Sequence, residues 1–177
     1  EEVITDLAKT TAQTLYQKVR DYVTDIQKKE EIDFGYAYEN YLKYAKTTHE
    51  KMKTLLYRHA AKDIYSFYEC VGLNRNEDII DTADINNVLE IGNKIIVTGT
   101  GGSGKSVMMK HFFLNILETA HYVPVLIELR GLNEYDEKGI NLEEYIYEVM
   151  GTLKFKIERK YFEYSLETGC YVILLDG

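Results

Sequence analysis

Residues 99–106 read GTGGSGKS, entered from KIIVT and left into VMMKHFFLNIL. No other stretch of the chain restricts its fold as tightly. A short β-branched run feeding a glycine-rich turn that opens onto an apolar helical pattern is a strand–loop–helix unit. Gly99, Thr100, Gly101, Gly102, Ser103, Gly104, Lys105 and Ser106 fill the spacing G-x-x-x-x-G-K-[ST]. The glycines let successive N–H groups turn inward as an anion-holding nest, and the helix N-terminus brings its positive dipole end to the same point. Lys105 is then placed to reach the β- and γ-phosphates of a nucleotide and to carry transition-state charge. The Ser106 hydroxyl can ligate Mg²⁺, and Val107 continues the cradle into the helix.

A partner acid is expected at the end of an apolar strand, where it holds the magnesium shell. The run YVILLDG supplies one, ending in Asp176 and Gly177. An apolar strand closed by Asp-Gly also makes hairpin turns, so this signal gains its meaning from the loop upstream.

Between and around these two points the pattern alternates strand and helix. A strand is expected over residues 94–98, a helix over 105–119, a strand over 123–129, helices near 142–150 and 157–167, and a last strand from Cys170. That rhythm belongs to a parallel α/β sheet. Upstream, Ile4, Leu7, Ala8, Ala12, Leu15, Val19, Tyr22, Val23 and Ile26 predict one amphipathic helix. Tyr38, Tyr41, Leu42, Ala45, Met52, Leu55 and Leu56 predict a second, following Gly35. Tyrosine stands where leucine is usual, which fits a half-wet helix interface. The run IYSFYECV predicts a strand over 64–71, NRNEDIIDTAD a boundary, and residues 85–90 a short helix stopped by Gly92 and Asn93.

Composition sets the outer limits. The 177 residues are 45% hydrophobic, enough for a real core. Residues 1–60 carry 10 Lys+Arg against 10 Asp+Glu, so the net charge of −8 lies wholly in the remainder, and nucleic acid is not indicated as a partner. No membrane-length apolar run and no leader pattern appear, so a cytoplasmic address is expected; an opening on Glu1 rather than Met points to a missing native start. Cys70 and Cys170 match neither a disulfide framework nor a metal spacing and read as reduced core residues. His49, His59, His111 and His121 likewise lack metal spacing and read as surface or interhelix residues.

With the loop, the ELR of Glu128, Leu129 and Arg130, and the ILLDG of residues 173–177 in hand, the chain resembles the NACHT domain of the STAND group of P-loop NTPases. The tyrosine-rich helices and IYSFYECV resemble the amino-terminal regions of bacterial NACHT proteins associated with antiphage defence. The resemblance is specific over residues 94–177 and looser over 1–93. It implies an α/β fold: a P-loop NTPase parallel sheet, incomplete in this chain, preceded by an α-helical region. The division is then residues 1–62 helical, 63–93 a strand and linker, and 94–177 the front of the NTPase domain, ending just after the Walker B strand.

It further implies an ATP/ADP-binding signalling switch with Mg²⁺ between Ser106 and Asp176, slow ATP hydrolysis, and nucleotide-controlled self-association in antiviral defence, with a sensed ligand and an effector. In that family a later acid activates water, and none follows Asp176 here. The family sheet order, 5-1-4-3-2, would pair residues 94–98 with strands beyond Gly177, so residues 1–177 alone are not expected to form a stable nucleotide site. Ile79, Ile80 and Thr82 are expected to flank the base, and Arg130 to make a structural or interdomain salt bridge. Two other classes stay open from the residues: a conventional P-loop ATPase or kinase, and a helical partner-binding module with a structural nucleotide site.

Overall fold

A computed structural model describes residues 28–54, 57–119, 122–134, 139 and 141–177, with positions 9, 10 and 13 as isolated helical points. The expected first helix otherwise lies outside the described residues, as do Leu55, Leu56 and His121. The fold is mixed α/β. Its helices are α1 (Lys28–His49), α2 (Ile85–Leu89), α3 (Lys105–Thr119), α4 (Leu142–Thr152) and α5 (Arg159–Glu167). Its strands are β1 (Lys51–Met52), β2 (Lys62–Asp63), β3 (Leu73–Arg75), β4 (Asp78–Ile80), β5 (Val123–Glu128) and β6 (Tyr171–Asp176).

Among the described residues the strands form three two-stranded sheets, β1 with β2 and β3 with β4 antiparallel, β5 with β6 parallel. In the parallel pair Val123 stands opposite Tyr171 and Glu128 opposite Asp176. Helices α4 and α5 occupy the crossover that a parallel pair needs. Asn141 caps α4, accepting from the N–H groups of Glu143 and Glu144, whose acidic side chains suit the positive end of the helix. Gly169, at φ 67°, ends α5 and turns the chain into β6.

Helix α3 is apolar on most of its circumference because it has neighbours on most sides. It packs on β5 and β6, on α1, on α2, and on the 3-10 turn Ile64–Ser66. Met108, Phe112, Phe113, Leu114 and Ile116 are all buried there. Strand β5 is buried from Val123 through Ile127, as a strand covered on both faces should be.

Helix α1 shares this core. Tyr38 and Tyr41 are fully buried, and their hydroxyls reach across to the strand pair: Tyr41 donates to the Pro124 carbonyl at 2.7 Å, and Tyr38 donates to Ser165 Oγ at 2.9 Å and meets the Tyr171 hydroxyl at 2.5 Å. Ser165 and Tyr171 close the triangle at 2.7 Å. Three polar tips so buried satisfy one another, and burial holds the phenols of Tyr38, Tyr41 and Tyr171 well above their ordinary range. Tyr36 and Tyr44 lie on the exposed side of the same helix.

Four expectations are corrected, and one stretch proves to hold a hairpin. Helix α1 does not follow Gly35 but runs through it, and it ends at His49, so that Met52 belongs to β1. Residues 64–71 are not a strand: Asp63 caps a 3-10 turn, its carboxylate accepting from the Tyr65 N–H and its carbonyl from the Ser66 hydroxyl, and this local bonding outcompetes β propensity. Cys70, just past that turn, is consequently exposed, while Cys170 is buried. The polar stretch read as a boundary holds the β3–β4 hairpin, turned at Asn76 with φ 57°. Finally, residues 94–98 are not a buried strand, although the expected sheet order had already left them without a partner in this chain. Ile95 and Val97 pack partly on the core, but Ile96 is 90% exposed and no ladder reaches the segment among the described residues.

Candidate functional site

The glycine loop leads directly into α3, whose first residue is Lys105. Gly102 and Gly104 adopt φ 78° and 90°, conformations that only glycine takes without strain, and Gly104 passes its carbonyl to the Met108 N–H at 2.9 Å to begin the helix. The Ser103 N–H donates to the Thr100 carbonyl at 3.2 Å, closing the turn. Lys105 curls back over it, its ammonium donating to the carbonyls of Gly99 at 2.9 Å and Thr100 at 3.0 Å. Val107, one residue past Ser106, is partly buried in the first turn.

Ser106 and Asp176 come together. The Ser106 hydroxyl donates to Asp176 Oδ1 at 3.0 Å, joining the start of α3 to the end of β6 across 70 residues. The β5–β6 register places Glu128 beside Asp176 at the same edge, and Glu128 pairs with the exposed Arg130. Lys110, one turn beyond Ser106, donates to the Lys51 carbonyl at 3.2 Å. Burial lowers its pKa, and the nearby carboxylates of Glu128 and Asp176 oppose that shift. The edge thus carries a hydroxyl, two carboxylates and a half-buried ammonium beside the glycine loop. Such a set can hold phosphate oxygens on the loop and a hydrated Mg²⁺ between Ser106 and Asp176. No cluster of three or more His, Cys, Asp or Glu side chains of metal-holding geometry occurs among the described residues, so a cation here would lean on the hydroxyl, Asp176 and phosphate oxygens.

The other sequence candidates are placed as follows. Thr82 is fully buried, its hydroxyl donating to the Val71 carbonyl at 2.6 Å, whereas Ile79 is 76% exposed on the hairpin and Ile80 partly buried. Arg130 makes its ion pair two residues away, with Glu128. His59 is exposed. His49 ends α1 against Phe113, ring centroids 4.5 Å apart, and desolvation lowers its pKa to about 4. His111 is 2% exposed, on α3, its ring nitrogens facing the Thr82 carbonyl and the Tyr65 hydroxyl rather than another α-helix. Sequence reasoning missed Lys110 and Glu128 as neighbours of Asp176. The i, i+4 spacing of Ser106 and Lys110 was the available signal for the first, and strand register, which a lone sequence does not fix, for the second.

No protein-family model, no curated protein and no solved structure matches this chain. Among the described residues no helix is long and apolar enough to cross a membrane.

Proposed function

We propose that the chain is the nucleotide-binding part of an ATP/ADP-dependent switch of the STAND/NACHT type. The observation that carries the reading is the Ser106–Asp176 hydrogen bond: a loop of phosphate-cradling spacing and an acid-tipped strand, far apart in sequence, meet through the two groups a magnesium shell requires. Residues Gly99, Thr100, Gly101, Gly102, Ser103 and Gly104 cradle the phosphates through backbone N–H groups, and Lys105 leaves its carbonyls for the β- and γ-phosphates. Ser106 and Asp176 hold Mg²⁺, directly and through its water shell.

A switch uses the nucleotide through its different affinity for two states of the protein, so ADP and ATP must favour different assemblies. Size-exclusion of the full-length protein in Mg-ADP and in a non-hydrolysable ATP analogue, beside its ATP turnover, tests this. A change in size with slow turnover supports the switch. Unchanged size with fast, partner-stimulated turnover points to a conventional ATPase, and unchanged size without turnover to a binding module with a structural nucleotide. The nucleotide that copurifies with the protein identifies the resting ligand.

A further inference from the structure

The limb entering the glycine loop, residues 94–98, is held by no strand ladder among the described residues. Further upstream, before α2, the linker at residues 82–85 is fastened by two side chains of α3. His111 Nε2 lies 2.8 Å from the Thr82 carbonyl; a carbonyl only accepts, so Nε2 carries the hydrogen that is shared. The other ring nitrogen, Nδ1, faces the Tyr65 hydroxyl at 3.1 Å. One turn further along, Asn115 acts in both senses, Nδ2 donating to the Ala83 carbonyl at 3.1 Å and Oδ1 accepting from the Ile85 N–H at 2.7 Å. Thr82 and His111 are buried, 0% and 2% exposed, so the bond between them is sheltered from water, while the Asn115 bond to Ile85 is part-buried and that to Ala83 exposed. Three of the four residues 82–85 therefore have a backbone group fastened to the same helix that opens on Lys105 and Ser106. Helix α2 continues from the fastening, burying Ile85 and Val88 against α3.

We infer that His111 and Asn115 are positioning residues for the phosphate loop: they hold the linker at residues 82–85 in register with α3, and thereby fix where the entering limb delivers Gly99 relative to Lys105. This rests on the reading of residues 99–106 as an anion cradle. A nest binds phosphate only while its N–H groups converge, and here the two sides of the loop belong to segments joined through this clamp. His111 also ties Tyr65 to the same point, so the region before the hairpin shares the fastening.

The test uses the full-length protein with His111→Ala, Asn115→Ala, the conservative His111→Gln, and Ile116→Val as a control that loosens buried packing of α3 without touching the linker. Calorimetric titration with inorganic pyrophosphate and with Mg-ADP is run beside amide exchange of residues 85–91. The two alanine variants are expected to lose pyrophosphate and ADP affinity by the same factor, on the order of tenfold, the scale seen when a group that orients a ligand-holding residue is removed. Their residues 85–91 exchange faster, His111→Gln recovers most of both properties by donating to the Thr82 carbonyl, and Ile116→Val keeps its affinity.

Wild-type affinity in folded alanine variants overturns the inference, as does an equal loss in Ile116→Val. If the alanine variants do not fold, Asn115→Asp carries the test, because it keeps the acceptor for the Ile85 N–H and loses the donor to Ala83. Should the wild type bind neither probe, the anion-cradle reading falls by itself, and exchange at the wild-type rate in the alanine variants then separately overturns the clamp.

Discussion

The Ser106 hydroxyl donates to Asp176 Oδ1 at 3.0 Å, so the helix that follows the glycine loop and the strand that ends the described chain are joined by a polar contact at their facing ends. Each group has its own structural reason to be there. Ser106 is fixed by the first turn of α3, and Asp176 by its register opposite Glu128 in the parallel pair. The functional proposal turns on what replaces or extends that contact when a magnesium nucleotide binds.

Asp176→Asn keeps the shape of the side chain and removes its charge. ADP binding is expected to survive, because the loop N–H groups and Lys105 remain, while ATP binding should need more Mg²⁺. Magnesium titrations of ATP affinity measure this directly. Superimposable curves for the two proteins would make Asp176 a turn residue only.

Lys105→Ala removes the one side-chain cation of residues 99–106 and leaves the backbone nest in place. Nucleotide affinity is expected to fall at least about tenfold, roughly 1.4 kcal/mol, as for loss of a charge-assisted bond to phosphate. Stability should change by less than about 0.5 kcal/mol, since Lys105 bonds only to exposed loop carbonyls. Calorimetry and thermal unfolding together separate the two effects.

How much of this was legible beforehand depended on whether the information was local. Helix α3, helices α4 and α5, and strands β5 and β6 follow from hydrophobic periodicity close to them in sequence, and the structure places them within a few residues of expectation. The loop and Asp176 were legible for the same reason, each being a short pattern with a chemical rationale. What failed was decided at a distance or by a competing local bond. Asp63 turned an aromatic run into a 3-10 turn, and with it Cys70 came to the surface. Residues 94–98 have strand composition, but a strand needs a neighbour, and their alternation leaves Ile96 in water. The burial of Tyr38 and Tyr41 was hidden because a tyrosine stripe looks alike whether its hydroxyls meet solvent or a carbonyl such as that of Pro124.

Tyr38 offers a measure of how firmly α1 belongs to the core. Tyr38→Phe deletes a hydroxyl bonded to Ser165 and Tyr171, which still bond each other at 2.7 Å, so it should cost only about 1 kcal/mol. Tyr38→Ala also empties an aromatic site edge-on to Phe155, with a cost of about 3–5 kcal/mol. Urea unfolding reads both. Near-zero values for both would mean that α1 is not docked as described.

His49 adds a pH dependence of definite sign. Desolvation is the first cause of its lowered pKa, with Lys110 adding to it and Glu128 opposing, and Nε2 has no hydrogen-bond partner among the described residues. With a folded value of about 4 against about 6.5 unfolded, the unfolded chain binds the extra proton between those limits. Stability contributed by the neutral ring is full above the unfolded value and is lost as the pH falls toward 4, by up to about 3 kcal/mol. Unfolding free energies at pH 7 and pH 4.5 should therefore differ more for the wild type than for His49→Gln. Equal differences would place the ring in water.

The most direct test of the central claim is thermal unfolding of the full-length protein with and without Mg-ADP at about 100 times its dissociation constant, with Lys105→Ala at the same ligand concentration. A ligand held by residues 99–106 and Asp176 should stabilise the wild type by about 2.7 kcal/mol, and the variant, binding about tenfold more weakly, by about 1.4 kcal/mol. A cooperative transition that does not move with Mg-ADP, or one that moves equally in both proteins, would contradict the account.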